Sequence, residues 1–315
     1  METNKMIKGI HHVTATVNDA QEDYDFYTKL LGQRLVKKTV NFDNNQVYHF
    51  YYGNEQGTPG TIMTTFPYKG HQVREGLVGT GQVSITAFSV PLNAIPFWQA
   101  RLTAANVPVV TTNKFGLPTL QFADPSDLPL EIVGNEEDDR EPWTTKEVDA
   151  SVAIRGFFNV TLAIAEVNAT FAFIMKEFGF TEVGKEGLLT RFAAEGGGAG
   201  QYLDILSAPT AEKGINGIGT VHHVAWRIEH DENLLAMRRH LTDNLGFNVT
   251  EVKDRNYFHS IYFRIPGGVL FEIATIPPGF AIDETLENLG THLKLPSWEE
   301  VNRLQIEKVL AKVRY

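Results

Sequence analysis

The chain contains no cysteine in its 315 residues. This absence excludes disulfide bonds, thiolate zinc sites and a cysteine nucleophile, and it fits a reducing cytoplasm. Basic residues are also few, since 28 Lys and Arg stand against 38 Asp and Glu, for a net charge of −10. Because nucleic-acid binders usually present a basic face, we expect no nucleic-acid partner.

Long apolar runs are absent as well. No stretch approaches the roughly 18 apolar residues that cross a bilayer, and residues 1–10 lack an apolar core of signal-peptide length. Hydrophobic residues still make up 43% of the chain, which is enough for a substantial core and for two domains. We therefore expect a cytoplasmic protein with no membrane partner, and the sequence leaves a homo-oligomer open.

One pattern of strand, helix and two or three further strands occurs four times along the chain. Each repeat, called a module below, opens with a β-branched run of period-2 alternation and continues with apolar residues at helical spacing. The modules are expected at about 8–66, 80–134, 156–207 and 220–275, with opening strands at 12–17, 84–89, 159–164 and 223–228 and helices at 19–31, 92–105, 167–178 and 231–245.

The repeats predict an α+β fold with two domains of two modules each, at 1–143 and 150–280. The charged, proline-containing run 136–142 marks the boundary and is interpreted as a solvated linker. Residues 281–315 lie outside the repeats and form a C-terminal helical extension. Ser297 and Glu300 make a capping box that predicts a helix running toward Val313, packed on the body of the protein.

Two histidine pairs, His11-His12 and His222-His223, occupy equivalent positions in the opening strands of modules 1 and 4. Successive side chains of a strand point to opposite faces. His12 and His223 alternate with the apolar residues that pack under the helix, so they should face the open side of the sheet. Glu272, in the last strand of module 4, alternates in the same way.

His12, His223 and Glu272 thus form a candidate 2-His-1-carboxylate set. Such a set leaves coordination positions open and suits Fe(II) that holds substrate and O₂, although Mn²⁺ is also compatible. A single strand histidine is more often a core or surface residue, but two at equivalent positions favour a metal site.

The other modules lack this set of residues. Modules 2 and 3 place Ser84 and Asn159 where the histidines stand, beside Glu131 and Asp204. Module 1 has Thr64 and Thr65 where a second carboxylate would be. We therefore predict one site, built by modules 1 and 4.

Further residues of the same region are candidates for supporting roles. Tyr262 could hydrogen-bond a phenolic substrate or relay its proton, and Arg255 could stabilise negative charge. A packed tyrosine and a surface arginine are equally open interpretations. His11 and His222 point away from the metal, where they can hydrogen-bond its surroundings. His49 is a weaker candidate, for which a solvated or packing role is favoured.

Several segments together resemble the vicinal oxygen chelate superfamily, and more narrowly its ring-cleaving dioxygenases of the hydroquinone 1,2-dioxygenase type. They include Ile10-His11-His12-Val13-Thr14, Gly57-Thr58-Pro59-Gly60, Asp254-Arg255 and Pro266-Gly267-Gly268-Val269-Leu270-Phe271-Glu272. The resemblance covers nearly the whole chain and implies paired βαβββ modules that form half-open barrels.

The resemblance also implies a chemistry. It places Fe(II) on His12, His223 and Glu272, with Tyr262, Arg255 and the outer histidines His11 and His222 around it. The implied reaction is O₂-dependent cleavage of a hydroquinone- or catechol-like ring beside a hydroxyl group, so the expected partners are a small aromatic substrate and O₂.

Two other functions stay open at this point. The first is an O₂-independent lyase or isomerase of the glyoxalase type, against which the missing fourth ligand near Thr64 and Thr65 weighs. The second is a protein that binds quinones or other aromatics without turnover.

Overall fold

The protein is described by a computed structural model that covers residues 5–194 and 196–315. It contains the four expected modules, each with one helical segment and four strands. Module 1 has β1 (Ile10–Val17), α1 (Ala20–Tyr24), β2 (Arg34–Asn41), β3 (Asn44–Gly53) and β4 (Ile62–Pro67). Module 2 has β5 (Gln82–Val90), α2 (Ile95–Ala104), β6 (Val110–Lys114), β7 (Leu117–Ala123) and β8 (Pro129–Gly134).

Modules 3 and 4 repeat this order. Module 3 has β9 (Gly156–Ile164), α3 (Val167–Glu177), β10 (Thr181–Glu186), β11 (Leu189–Ala193) and β12 (Tyr202–Ser207). Module 4 has β13 (Thr220–Ile228), α4 (Asp231–Arg239), β14 (Lys253–Asp254), β15 (Phe258–Arg264) and β16 (Leu270–Pro278). Both α1 and α4 continue as π-helical turns, at Asp25–Leu30 and His240–Asn244, so the helical segments end where the sequence pattern predicts.

Strand pairing joins modules that are distant in the chain. One eight-stranded sheet has the order β14-β15-β16-β13-β1-β4-β3-β2 and combines modules 4 and 1, and the other has the order β10-β11-β12-β9-β5-β8-β7-β6 and combines modules 3 and 2. The antiparallel β1–β13 pair sets Thr14 opposite His223. Each half-barrel therefore combines one module from before residues 143–150 with one from after them. The division of the chain into domains at 1–143 and 150–280 stays a prediction from the sequence repeats.

The two faces of each sheet differ in chemistry, as period-2 alternation requires. Val13, Ala15 and Val17 of β1 and Trp226 of β13 are fully buried in the main hydrophobic core. The opposite face of the same strands carries the histidines and threonines. This architecture is the vicinal oxygen chelate fold, of α+β class, and it confirms the expected fold.

The segment between the two halves is more ordered than a solvated linker. Its acidic residues Glu136, Glu137 and Asp139 are exposed, but Arg140 donates to the backbone oxygens of Gly60 and Phe157, at 3.1 and 2.7 Å. Arginine presents several donors in one plane, and this side chain links modules 1 and 3. The interpretation of 136–142 as a solvated run is therefore wrong for Arg140.

The C-terminal extension begins with 3₁₀ turns at Phe280–Ile282 and Leu286–Asn288 and ends with α5 (Arg303–Val309), preceded by a turn at Glu300–Asn302. The helix is shorter than the capping box at Ser297 predicted. The N–H of Glu299 donates to the carbonyl oxygen of Pro296 and forms a turn instead, and the side chain of Glu300 pairs with Arg303. The predicted packing is only partial, since Ile306 is buried whereas Leu304 is 85% exposed. No helix of the described residues has both the length and the apolar character needed to span a membrane.

Candidate metal centre

Three side chains from three neighbouring strands converge on the open face of the module 1–module 4 sheet. His12 lies on β1, His223 on β13 and Glu272 on β16, and all three are at least 95% buried. One donor atom of each lies within 4.8 Å of the others. Within residues 5–194 and 196–315 this is the one group of three that could hold a metal ion.

The spacing of the three donor atoms fits a single metal ion. The Nε2 atoms of His12 and His223 are 3.2 Å apart, and they lie 3.0 and 2.8 Å from Glu272 Oε2. Ligand atoms at about 2.1 Å from one ion are roughly 3.0 Å apart at right angles and roughly 3.4 Å apart in a tetrahedron. The observed distances are therefore close to those that a single ion bound to all three atoms would impose.

The carboxylate of Glu272 also fits a cation. Both of its oxygens are buried and neither has a hydrogen-bond partner, although two ring nitrogens lie within 3.0 Å. Burial opposes ionisation, whereas positive charge on His12 and His223 lowers the pKa of Glu272 well below its ordinary value, and a bound cation would have the same effect. Burial lowers the pKa of His223. An ionised carboxylate and a neutral imidazole are the protonation states that a metal requires.

Hydrogen bonds fix the tautomer of His12. His11 Nε2 lies 3.1 Å from the carbonyl oxygen of Thr275, which can only accept, so His11 carries its proton on Nε2. His11 Nδ1 then accepts from His12 Nδ1, at 2.9 Å. With its proton on Nδ1, His12 presents the lone pair of Nε2 to the site. His11 thus supports His12 from behind.

The second pair repeats this contact. His222 Nδ1 lies 2.8 Å from His223 Nδ1, and Thr14 Oγ1 lies 2.9 Å from His223 Nε2. His222 is otherwise exposed at the edge of the cavity. The inner member of each pair faces the site, as alternation predicts, but the outer member does not point away. The register of the β1–β13 pair shifts at His11 and at His222, and each outer ring contacts the Nδ1 atom of its inner neighbour.

Tyr262 and Arg255 lie next to the three donor residues. The ring of Tyr262 packs edge-on against His223, with 5.5 Å between the ring centroids. Arg255 Nε donates to Tyr262 Oη at 3.1 Å, and its Nη1 lies 3.3 Å from Asp43. Burial and the negative charge of Glu272 raise the pKa of Tyr262 well above its ordinary value, so its hydroxyl keeps its proton.

A cavity of about 220 Å³ opens beside His12 and His223. A closed apolar cavity of about 150 Å³ holds a benzene molecule, so this one has room for a single aromatic ring. Its walls are aromatic, with polar groups at the metal end and at the mouth, and are formed by His12, Thr16, Asn41, Phe42, Asp43, His49, Tyr51, Phe66, Tyr68, His222, His223, Arg255, Phe258 and Tyr262.

The carboxylates of the other sheet are paired with protein cations. Glu131 contacts Lys114 and accepts from Gln121 at 2.8 Å. Asp204 accepts two hydrogen bonds from Arg191, at 2.7 and 2.8 Å. Because these charges are already neutralised, neither carboxylate is free for a metal in the way that Glu272 is.

The strand register corrects one detail of the sequence comparison. Thr14 pairs with Thr64 and Ala87 pairs with Glu131. Thr14 and Ala87 are therefore equivalent positions. His12 lies two positions before Thr14, and the residue two positions before Ala87 is Ile85 rather than Ser84. An isoleucine offers no ligand atom, so this position cannot contribute a metal ligand.

Sequence reasoning missed a polar cluster on the module 1 side of the cavity. His49, for which the sequence favoured a solvated or packing role, hydrogen-bonds both Thr64 and Tyr51. Tyr51 pairs with Thr64 across the sheet as Tyr262 pairs with Glu272. The duplication therefore held the signal for Tyr51, as the counterpart of Tyr262.

Known proteins resemble the chain over nearly its full length. One relative, from Bacillus subtilis (strain 168), is named "Putative ring-cleaving dioxygenase MhqO" and is 47% identical over 306 residues, 97% of this chain and 96% of the relative. The chlorohydroquinone/hydroquinone 1,2-dioxygenase of Sphingobium indicum is 36% identical over 302 residues, 94% of this chain and 93% of that enzyme.

A solved structure and a family match agree with these relatives. The crystal structure of a "putative dioxygenase" from Bacillus subtilis superimposes with a TM-score of 0.94 at 46% identity and covers 98% of both chains. Residues 9–132 and 156–273 match the Glyoxalase/Bleomycin resistance protein/Dioxygenase superfamily. Sequence, fold and relatives together show that this chain belongs to the glyoxalase/bleomycin resistance protein/dioxygenase superfamily.

Proposed function

We propose that this protein is a ring-cleaving dioxygenase of the extradiol type, which uses Fe(II) and O₂ to open a hydroquinone- or catechol-like ring. His12, His223 and Glu272 hold the metal in this proposal. The observation that carries it is the close approach of two imidazole nitrogens and an ionised carboxylate, 2.8 to 3.2 Å apart, around a carboxylate without hydrogen-bond partners. A cation among them relieves their mutual repulsion.

Iron bound there would supply the redox chemistry that joins O₂ to an aromatic ring. The chain's own residues bind and orient the reactants. Aromatic side chains such as Phe66 and Phe258 line a cavity that takes one ring, and they exclude water from it. Tyr262, which keeps its proton, can donate to a phenolic oxygen of the substrate.

Arg255 has two roles in this proposal. Its guanidinium donates to Tyr262 Oη and so sets the direction of the tyrosine hydroxyl. Its positive charge, mostly shielded from water, favours negative charge on a substrate oxygen. Arginine has several donors, so contact with Tyr262 leaves others for the substrate.

The relatives support the same reaction. The enzyme from Sphingobium indicum is named for chlorohydroquinone and hydroquinone, and its identity of 36% extends over both halves of this chain. Fe(II) is preferred to Mn²⁺ because a 2-His-1-carboxylate set with open positions is the typical ligand set of non-haem Fe(II) oxygenases.

The test is anaerobic reconstitution with Fe(II), addition of substituted hydroquinones and catechols, and then admission of air. We expect O₂ uptake and a yellow ring-opened product in equal amounts. No turnover of any substrate, in protein that holds one iron per chain, would overturn the proposal.

The same experiment separates the other two functions. Activity with zinc or nickel in the absence of O₂ would indicate a lyase or isomerase, but Thr64 stands at the strand position where a fourth, carboxylate ligand would be needed. Tight binding of an aromatic compound that His223→Ala leaves unchanged would indicate a binding protein without metal chemistry.

A further inference from the structure

A line of hydrogen bonds approaches the metal centre from the module 1 side. Tyr51 Oη lies 2.9 Å from His49 Nδ1, and His49 Nε2 lies 2.9 Å from Thr64 Oγ1. Thr64 Oγ1 lies 2.9 Å from Thr14 Oγ1, which in turn lies 2.9 Å from His223 Nε2. Four contacts of hydrogen-bonding length thus connect a buried tyrosine to a candidate metal ligand.

The position of the proton on His49 decides which atom donates and which accepts in each of these hydrogen bonds. Burial lowers the pKa of His49 well below its ordinary value, so the ring is neutral and has one N–H group. Tyr51 is 1% exposed and keeps its hydroxyl proton, which needs an acceptor. His49 Nδ1 is that acceptor, so the proton of His49 is on Nε2 and is donated to Thr64.

The line lies where a second carboxylate would stand. Thr64 pairs with Thr14 across β1 and β4, as Glu272 pairs with Ala225 across β13 and β16. Module 1 therefore offers a row of hydroxyl donors at the position where module 4 offers an acceptor. Thr14 and Thr64 are both fully buried, so water does not compete for these bonds.

We propose that His49 is a positioning residue for an oxygen atom of the bound aromatic ligand, and that it acts through Thr64 and Thr14. Tyr51 holds His49 in one tautomer, and His49 keeps both threonine hydroxyls donating toward the metal centre. A metal on His223 Nε2 would occupy the lone pair that accepts from Thr14. The Thr14 hydroxyl then donates to a ligand oxygen beside His223, as a prearranged donor.

The proposal deepens the proposed function and rests on it, but its first test needs neither metal nor turnover. Long-range ¹H–¹⁵N correlation spectra of the metal-free protein report which nitrogen of His49 is protonated. We expect the Nε2–H tautomer, with Nδ1 shifted by a hydrogen bond that Tyr51→Phe removes. Tyr52→Phe is the matched control, because the neighbouring Tyr52 donates to Asp23 on the opposite face of the strand. A dominant Nδ1–H tautomer in the wild type would refute the proposed direction.

The second test separates the hydrogen bonds of His49 from its bulk. Glutamine can accept from Tyr51 and donate to Thr64 as the imidazole does, whereas asparagine is too short to reach both. We expect His49→Gln to bind hydroquinone within about threefold of wild type in Fe(II)-loaded protein without O₂. His49→Asn should bind it about tenfold more weakly, the equivalent of one lost hydrogen bond, with unchanged iron content.

The two variants also distinguish this proposal from the proposed function. Equal affinities for hydroquinone in His49→Gln and His49→Asn would overturn the positioning role, even in an active dioxygenase. If the wild type binds hydroquinone and shows the Nε2–H tautomer without opening the ring, the proposed reaction fails and the positioning role stands.

Discussion

At the scale of residues, His11 and His12 differ in what their ring nitrogens contact although they are neighbours in one strand. The carbonyl of Thr275 fixes the proton of His11, and His11 fixes that of His12. The choice of tautomer therefore comes from a backbone atom of β16, the strand that also carries Glu272. Metal affinity should depend on this arrangement as well as on the ligands.

Replacing His11 by phenylalanine tests that dependence. The variant keeps the ring but leaves His12 Nδ1–H without an acceptor, so we expect metal affinity to fall about 10- to 100-fold. An anaerobic titration with Fe(II) against a competing chelator measures it. His292→Phe is the control, because the side chain of His292 is 77% exposed and lies outside the cavity. Equal affinities in the two variants would contradict the role of His11.

Asp23 predicts a pH dependence of stability. Its carboxyl is buried and accepts from Tyr52 and Thr65, while Oδ1 has no partner. Burial raises its pKa from 3.8 to about 8. Because the folded state favours the protonated carboxyl, the contribution of Asp23 to stability is complete below about pH 4. This contribution is lost as the pH rises through about 8.

Asp23→Asn imitates the protonated carboxyl and should remove this loss. We expect the variant and the wild type to be similar in stability near pH 4, and the variant to be more stable by several kcal/mol at pH 9. Urea unfolding across this range measures the difference. A difference that does not change with pH would show that Asp23 is ionised in the folded protein.

The residues of the site were partly predictable from the sequence. Alternation places His12, His223 and Glu272 on one face, because their apolar neighbours identify the buried face. His49 escaped the same reasoning, since a histidine beside Tyr48 and Phe50 is equally compatible with packing. Its role depends on Thr64 of another strand, and pairing between strands cannot be obtained from a single strand's pattern.

At the scale of elements, the C-terminal extension is held to module 1 by a buried ion cluster. Lys37 of β2 is fully buried and lies 2.6 Å from both Asp283 and Glu284. Tyr257, which is also buried, donates to Asp283 at 3.0 Å. The extension thus covers β2 through an ion cluster in which Lys37 and Glu284 are almost completely buried and Asp283 is 23% exposed.

Lys37→Met should destabilise the protein by about 3 kcal/mol or more, because it leaves two acidic groups without their cation. Lys69→Met is the matched control. Lys69 pairs with Asp19 but is 62% exposed, so its loss should cost much less than that of Lys37. Chemical unfolding of both variants tests this, and equal losses would show that the buried cluster does not anchor the extension.

Elements of the repeats were more predictable than the extension. The four helical segments follow periodic apolar patterns and capping signals such as Asp19, which accepts from the backbone of Gln21 and Glu22. In the extension, the capping box at Ser297 predicted a helix that begins only at Arg303. Tertiary packing does not support the pattern there, because Val301 and Leu304 of the predicted apolar stripe are 87% and 85% exposed.

At the scale of the whole molecule, strand pairing between distant modules creates the site. The β1–β13 pair brings together histidines that are 211 residues apart. Repeats in the sequence show that the modules are equivalent, but they do not show which modules share a sheet. The histidine pairs pointed to modules 1 and 4, which share a sheet in the structure.

Metal analysis of anaerobically reconstituted protein tests the central claim most directly, with the wild type beside His12→Ala, Glu272→Ala and the control Glu131→Ala. We predict one iron per chain in the wild type and in Glu131→Ala, and almost none in His12→Ala or Glu272→Ala. Unchanged iron content in His12→Ala and Glu272→Ala would contradict the assignment of the metal centre to modules 1 and 4.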